Sequence, residues 1–547
     1  MAPRASGAAP TRTSSRTKAA QAVKEEVAQK AQPKRKADDG SAPAAQAKRG
    51  RSKSTTATTN GSTANGHVRA AARSKPPPQD LNALPQPAEH LRPARHLFVF
   101  GNTDGNPQLG LGPDTTKVTR PRLHAWVKEA VESGLLGGPG AGFETVCVNG
   151  MHNLAVDELG RIWSWGINDE GQLGRRTSNV DDPARPGEKL DRDELESTPA
   201  LVEELDPEVF RAVQVAAGGS VSVAVSDKGE VRSWGCFRWD GVFGFDTSAT
   251  APVRQFTPQS LPSLAGHRFA SVACGQDHVL GLTTTGVIFA WGNGENGQLG
   301  RRIMDRRRKN ALTAERLALR DIVYISAGGN SSFAVDKHGV LYAWGLNGYG
   351  QTGVAVEDGG SEAIVERPTV VRALHPEALN GRRVVQIASG SEHTLFLLSD
   401  GTLFGCGLNQ DAQLGLPADH AALAASDSSM TVRTPVHIRL PDPPTESDPN
   451  PTVPPYSSAD AAGPPSTPIV CVAASGRHNL VVSEAGHVYC WGWGAHAQLA
   501  LGPNTEKQPV PTMIQNTALS SGWKILSAGA GSLHGVLVAV LPTDKAT

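Results

Sequence analysis

Between residues 145 and 174 the chain reads TVCVNGMHNLAVDELGRIWSWGINDEGQLG, and its apolar positions fall into three short runs separated by turns. Val146 and Val148 alternate with their neighbours as in a half-buried strand, and Asn149-Gly150 turns. Residues 154–156 form a second apolar run, Leu159-Gly160 turns again, and residues 162–165 form a third. A loop with Gly166, Gly171 and Gly174 closes the unit, and Trp165 is the large flat side chain expected to pack on a neighbouring copy.

The pattern returns at 213–244, 272–300, 325–353, 387–415 and 472–499. Self-similarity at a period of tens of residues predicts stacked or radial repeats. The ends of the array separate those two options. Residues 97–110, LFVFGNTDGNPQLG, are a second half-unit with no first half before them, and residues 523–540 are a first half-unit with no second half after them. The halves balance only if the two ends share a sheet. An open solenoid needs polar caps, whereas a propeller buries its last edges by closing. The expected fold is therefore all-β: a seven-bladed β-propeller over 96–541, each blade of about four strands. Insertions are expected at 181–207, 301–320 and 416–468, and a short tail at 542–547. The Pro-rich stretch 416–468 reads as a mobile excursion with no function assigned to it.

Composition changes this picture mainly at the amino terminus. The chain has 53 Lys and Arg against 53 Asp and Glu, but the balance hides a basic beginning and a more acidic remainder. Residues 1–95 are rich in Ala, Ser, Thr, Pro and basic residues with no periodic apolar face, which predicts a disordered tail. Lys34, Arg35 and Lys36 and then Lys48, Arg49, Arg51 and Lys53 form two basic clusters spaced as in a bipartite nuclear import signal. The same charges suit nonspecific, salt-sensitive contact with nucleic-acid phosphate, and a plain solvated tail is the alternative. A second basic run, Arg301, Arg302, Arg306, Arg307, Arg308 and Lys309, reads equally as a DNA-facing patch or a solvated loop. No apolar run approaches the roughly 20 residues that span a bilayer, so no membrane partner is expected.

Motifs for covalent chemistry are sparse. Gly292, Gly294 and Gly297 match GxGxxG, but they lie in a repeat loop with no helix to receive a pyrophosphate. No cofactor or metal is expected. The 6 cysteines, Cys147, Cys236, Cys274, Cys406, Cys471 and Cys490, contain no CxxC pair and read as reduced thiols. His152, His278, His393 and His478 recur at one repeat position, which argues for a structural hydrogen bond in each blade.

One copy departs from the rest. After Trp234-Gly235 it continues Cys236-Phe237-Arg238-Trp239-Asp240-Gly241-Val242-Phe243-Gly244 in place of NxxGQLG. Asp240-Gly241 predicts a tight hairpin with bulky residues on both sides. Two placements are open: a projecting interface finger, or packing inward under a neighbouring blade.

The units G-x-x-H…D-x-G-x-V-[YFW]-x-W-G-x-N-x-x-G-Q-L-G resemble the regulator of chromosome condensation repeat across 97–540. Trp-Gly followed by Gln-Leu-Gly distinguishes it from WD and kelch repeats. That propeller also occurs in ubiquitin ligases, photoreceptors and scaffolds, so the fold alone does not decide function. A propeller standing almost alone behind a basic tail, with shared termini and a Phe-Arg hairpin similar to the family's β-wedge, resembles the nuclear branch that exchanges guanine nucleotide on the small GTPase Ran. The resemblance implies that Phe237, Arg238, Trp239, Asp240, Gly241, Val242 and Phe243 form the wedge, with Arg238 as its functional arginine. It implies that Asp277 in CGQDH, His152 in NGMH and Asp104, one place out of register, face the GTPase. Gly219 stands where the family often has Asp, and Glu392 precedes His393 where the family often has two histidines.

The partners so implied are a Ran-type small GTPase, chromatin through histones and nonspecific DNA contact, and importin through the basic tail. Nuclear, chromatin-associated exchange would serve nucleocytoplasmic transport and spindle and nuclear-envelope assembly, with no bond made or broken. Ala2-Pro3-Arg4 resembles a signal for α-amino methylation. A chromatin-bound propeller scaffold without exchange activity is the rival reading.

Overall fold

The computed structural model describes residues 79–541 except 88–91, 240–241, 246–252, 359–362, 425–429, 444, 446, 449–450 and 455–465. The expectations placed on Ala2, on Lys34, Arg35, Lys36, Lys48, Arg49, Arg51 and Lys53, on Asp240 and Gly241, and on 542–547 lie outside the described residues. So do those that concern the side chains of Trp239, Val242 and Phe243.

Seven four-stranded antiparallel sheets make the propeller. Six are built from consecutive segments whose first strands are Phe143–Asn149, Ala212–Ala217, Phe269–Cys274, Ile322–Ala327, Val384–Ser389 and Ile469–Ser475, here blades 1 to 6. Blade 7 joins the two ends of the array: Lys524–Ala530 and His534–Val540 supply its inner half, His96–Asn102 and Lys117–Leu123 its outer half. The latch is the register from His96↔Ala539 to Gly101↔His534, with Phe98, Phe100, Leu537 and Val536 buried around it. Each first strand lines a central channel, with Val148, Gln214, Val272, Ala327, Ile387, Ala473 and Gly529 among its walls. Every second strand of blades 1 to 6 is buried along its whole length, because a neighbouring blade covers each of its two faces.

The repeated residues are the joints between blades. In three of the Gln-Leu-Gly loops the glutamine backbone carbonyl accepts two donors from the next blade. Gln172 O takes Ser222 Oγ at 2.8 Å and Trp234 Nε1 at 2.9 Å, Gln298 O takes Ser332 Oγ at 2.8 Å and Trp344 Nε1 at 2.9 Å, and Gln413 O takes Asn479 Nδ2 at 2.8 Å and Trp491 Nε1 at 2.9 Å. The recurrent histidine bonds the same polar residue of the next blade: His152 to Ser222 at 2.7 Å, His278 to Ser332 at 2.8 Å, His393 to Asn479 at 2.7 Å and His534 to Asn153 at 3.0 Å. His478 meets no such group because Gly535 stands there, and among the described residues its ring has no hydrogen-bond partner. The glycine after each tryptophan is needed where the end of the third strand passes close to the backbone at the start of the second. At Gly166, with φ +118°, a Cβ would stand 2.6 Å from the Met151 carbonyl.

Two sequence expectations change. The stretch 416–468, read as an excursion, contains the helix Ala421–Ala424 and the outer strand of blade 5, Thr431–Ile438, with Val432, Ile438 and Leu440 buried. A proline-rich context hid that strand, since Pro435 occupies an outer edge where no ladder donor is required. The stretch 1–95 includes residues that lie against the ring. Asp80 pairs with Arg268 at 2.5 Å and accepts Thr284 Oγ1 at 2.7 Å, and Asn82 Nδ2 donates to the carbonyls of Thr283 and Ile322. Leu84 and Leu81 sit over the turn glycines Gly229 and Gly286 of blades 2 and 3.

Candidate functional site

In each blade the turn between first and second strands and the loop after the third strand open on one face of the ring. The backbone ties them together: Ile167 N donates to Met151 O, Cys236 N to Ser220 O, Asn293 N to Asp277 O and Leu408 N to Glu392 O. Among the described residues expected to meet the GTPase, Arg238, Asp277 and Asp104 belong to this face, and Phe237 and His152 lie just beneath it.

The departing copy makes a separate two-stranded sheet, Phe237–Trp239 with Val242–Gly244, in the register Phe237↔Gly244, Arg238↔Phe243 and Trp239↔Val242. Its root is held by three blades. Phe237 is 1% exposed and packs with Val221, Val279, Trp291 and Phe245, so this aromatic is an anchor and not a contact residue. Arg238 is exposed at about a third of its side chain. Its backbone N–H donates to Asp277 Oδ1 of blade 3 at 3.3 Å, and its carbonyl accepts Asn293 Nδ2 at 2.9 Å. Its guanidinium lies 3.4 Å from Glu170 Oε1 of blade 1, and Glu170 Oε2 holds Arg254 Nε at 2.6 Å. Leu312, from the 301–320 insertion, lies against Gly244.

Burial pushes the Asp277 carboxyl up to about 6, with Arg238 pulling the other way and Glu170 adding to the rise. Arg254 is raised by its bond to Glu170. His152 is fully buried beneath the blade 1 turn and lowered by burial to about 3, so it is a neutral joint to Ser222 and cannot touch a visiting protein. Asp104 is exposed at a left-handed turn position and pairs with His496 of blade 6 at 3.2 Å, on the same face but apart from the hairpin root. Gly219 donates its N–H to Gln276 O at 2.7 Å, and a Cβ there would stand 2.3 Å from Gln276 Nε2 and 2.8 Å from the Gln276 carbonyl, so a side chain at this position requires Gln276 to shift. Arg301, read within a basic patch or solvated loop, is instead largely covered, with Glu315 at 3.5 Å and the Thr313 carbonyl at 3.2 Å.

Sequence reading missed Glu170, Arg254 and Asn293. The available signal was positional. Glu170 shares its repeat position with Asn296, Tyr349, Asp411 and His496, and two of those also reach into the next blade: Asp411 to Arg477 at 3.0 Å and His496 to Asp104. Among the described residues no group of His, Cys, Asp and Glu is arranged to hold a metal ion.

Known proteins resemble this arrangement over most of its length. Protein pim1 of Schizosaccharomyces pombe is 34% identical over 463 residues, covering 84% of this chain and 77% of its own. The guanine nucleotide exchange factor SRM1 of Saccharomyces cerevisiae is 35% identical over 467 residues, covering 82% and 88%. The crystal structure of Prp20p from S. cerevisiae, described with its binding to Gsp1p and histones, superposes with a TM-score of 0.68 at 32% identity over 85% of this chain and 94% of that one. The yeast RCC1 (Prp20) bound to Kap60 superposes with a TM-score of 0.70 at 32% identity, covering 88% and 98%. A model of the RCC1-like domain matches residues 96–537, from the first latch strand into the last, and the chain belongs to that family.

Proposed function

We propose that this protein is a guanine-nucleotide exchange factor for a Ran-type small GTPase, working on chromatin in the nucleus. The observation that carries the proposal is the hairpin at 237–244, which leaves the repeat pattern on the open face and is rooted by side chains of three blades. A GTPase holds its nucleotide through a phosphate-binding loop and switch segments. A partner that prefers the nucleotide-free arrangement lowers the barrier to release by its differential binding. A rigid finger does this better than a loose one, because little ordering cost is charged at the moment of contact. No bond is made or broken, and the incoming nucleotide is set by its concentration.

Within this reading Arg238, with the hairpin tip, displaces the phosphate-binding segment, while Asp277 positions the root. Asp104, two blades away, belongs to the rim of the contact. The exchange factor SRM1, the binding of Prp20p to Gsp1p and histones, and the Kap60 complex of Prp20 support the partners: a small GTPase, histones, and an importin that reads the basic clusters at Lys34–Lys36 and Lys48–Lys53. The rival scaffold reading has two departures behind it, the absence of an acid at Gly219 and Glu392 standing before His393 in place of a second histidine.

Release of fluorescent GDP from loaded Ran separates the two. Addition of the protein should accelerate release at least about a hundredfold, which requires about 2.7 kcal/mol of differential binding. A folded protein that binds Ran and leaves the release rate unchanged would put the scaffold ahead.

A further inference from the structure

Glu170 occupies a loop position whose common duty is local. Glu170, Asn296, Tyr349, Asp411 and His496 each give a backbone N–H to the side-chain oxygen of the glutamine two residues on, at 2.8–3.0 Å. What Glu170 does beyond that is particular to this blade. Its side chain is only 8% exposed and divides its two carboxylate oxygens between Arg238, at the start of the excursion that replaces the blade 2 loop, and Arg254, just before the chain returns in Gln255–Gln259.

We infer that Glu170 is the positioning residue of the hairpin, a buried carboxylate that pins both stems of the 237–254 excursion to blade 1. Asp277 and Asn293 hold the backbone of Arg238 from the opposite side, in blade 3. The hairpin root is thereby gripped between two blades, and the Glu170 side of the grip is charge-assisted and sheltered from solvent, where such bonds are strongest. Glu170 is too deeply buried to meet a partner itself and acts through Arg238 and the set of the finger. Its consequence for exchange rests on the function proposed above, whereas its consequence for the free protein does not.

Glu170→Gln keeps the shape and removes the charge; Arg254→Gln removes one recipient. In the free full-length protein, backbone amides of 237–244 should exchange with deuterium about tenfold faster or more in Glu170→Gln, with the remaining blades unchanged. With Ran, the turnover number for GDP release should fall about tenfold while the KM for Ran moves less than about twofold, because the rest of the face still docks. The double variant should lose less than the product of the single losses. Unchanged hairpin amides in both single variants would overturn the clamp, as would a loss carried wholly by KM. If Glu170→Gln fails to fold, Arg254→Gln, altered at a half-exposed site, gives the same amide reading. Wild-type protein that does not accelerate release would sink the exchange proposal, and the amide measurement would still decide on Glu170.

Discussion

The joint between blades 5 and 6 and the joint between blades 2 and 3 use the same strands and opposite chemistry. At the first, Gln413 O receives both Trp491 Nε1 and Asn479 Nδ2, His393 bonds Asn479, and Asp411 pairs with Arg477 on the surface. At the second, the blade 2 loop that would carry the glutamine has become the hairpin. Trp291 Nε1 has no hydrogen-bond partner among the described residues, and Val221 and Val279 stand where the histidine and its polar partner would be. Phe237 fills the space with hydrocarbon. The histidine pair is lost without leaving an orphan, because both partners become apolar together, whereas Trp291 keeps its buried donor and has lost its acceptor, the costlier half of the change. The charged clamp of Glu170, Arg238 and Arg254 then aims the finger, a task the regular joints do not have.

The comparison breaks most sharply at Phe237. A fully buried side chain at a joint predicts for Phe237→Ala a loss of about 3–5 kcal/mol in chemical denaturation as well as slower release. A variant of wild-type stability would mean that the joint does not depend on its apolar plug.

Trp491→Phe tests the regular joint. It removes one donor from Gln413 O, which keeps Asn479, and some buried volume, so about 2 kcal/mol should be lost with release of GDP unaltered. A parallel drop in exchange activity would show that the two joints are coupled around the ring.

The smallest effect is one of pH. The folded Asp277 carboxyl titrates at about 6, above its ordinary value. The folded protein therefore holds this proton more tightly, and the stability it contributes is complete below the ordinary carboxylate pKa and is lost as pH rises through about 6. Exchange runs the opposite way, since the ionised carboxylate is the stronger acceptor for Arg238 N–H. With release by Ran alone subtracted at each pH, the rate should climb about fivefold between pH 5 and 7. It should be nearly flat in Asp277→Asn; an equal slope in that variant would remove Asp277 from the root of the hairpin.

The apolar periodicity and the split first unit were enough to determine seven blades and a latch at the termini, because every repeat solves the same local packing problem and only closure satisfies the two half-units. The histidines were legible as joints for the same reason, although their partners, Ser222, Ser332 and Asn479, lie one blade on. The break at Cys236 was equally visible, since a departure from a repeat needs no structure to be seen. Which way Phe237 faces, however, depends on the place against Trp291 of the adjoining blade that the missing glutamine of its own loop leaves empty. His152 matched a family surface position by motif and is covered because the next blade supplies its hydrogen-bond partner. Glu170 and Arg254 are 84 residues apart, and the charge pairing that joins them exists only once blade 1 and blade 2 lie side by side. Local pattern determined the strands and their count; distance in the chain, cancelled by closing the ring, decided which polar groups meet and therefore what the open face can do.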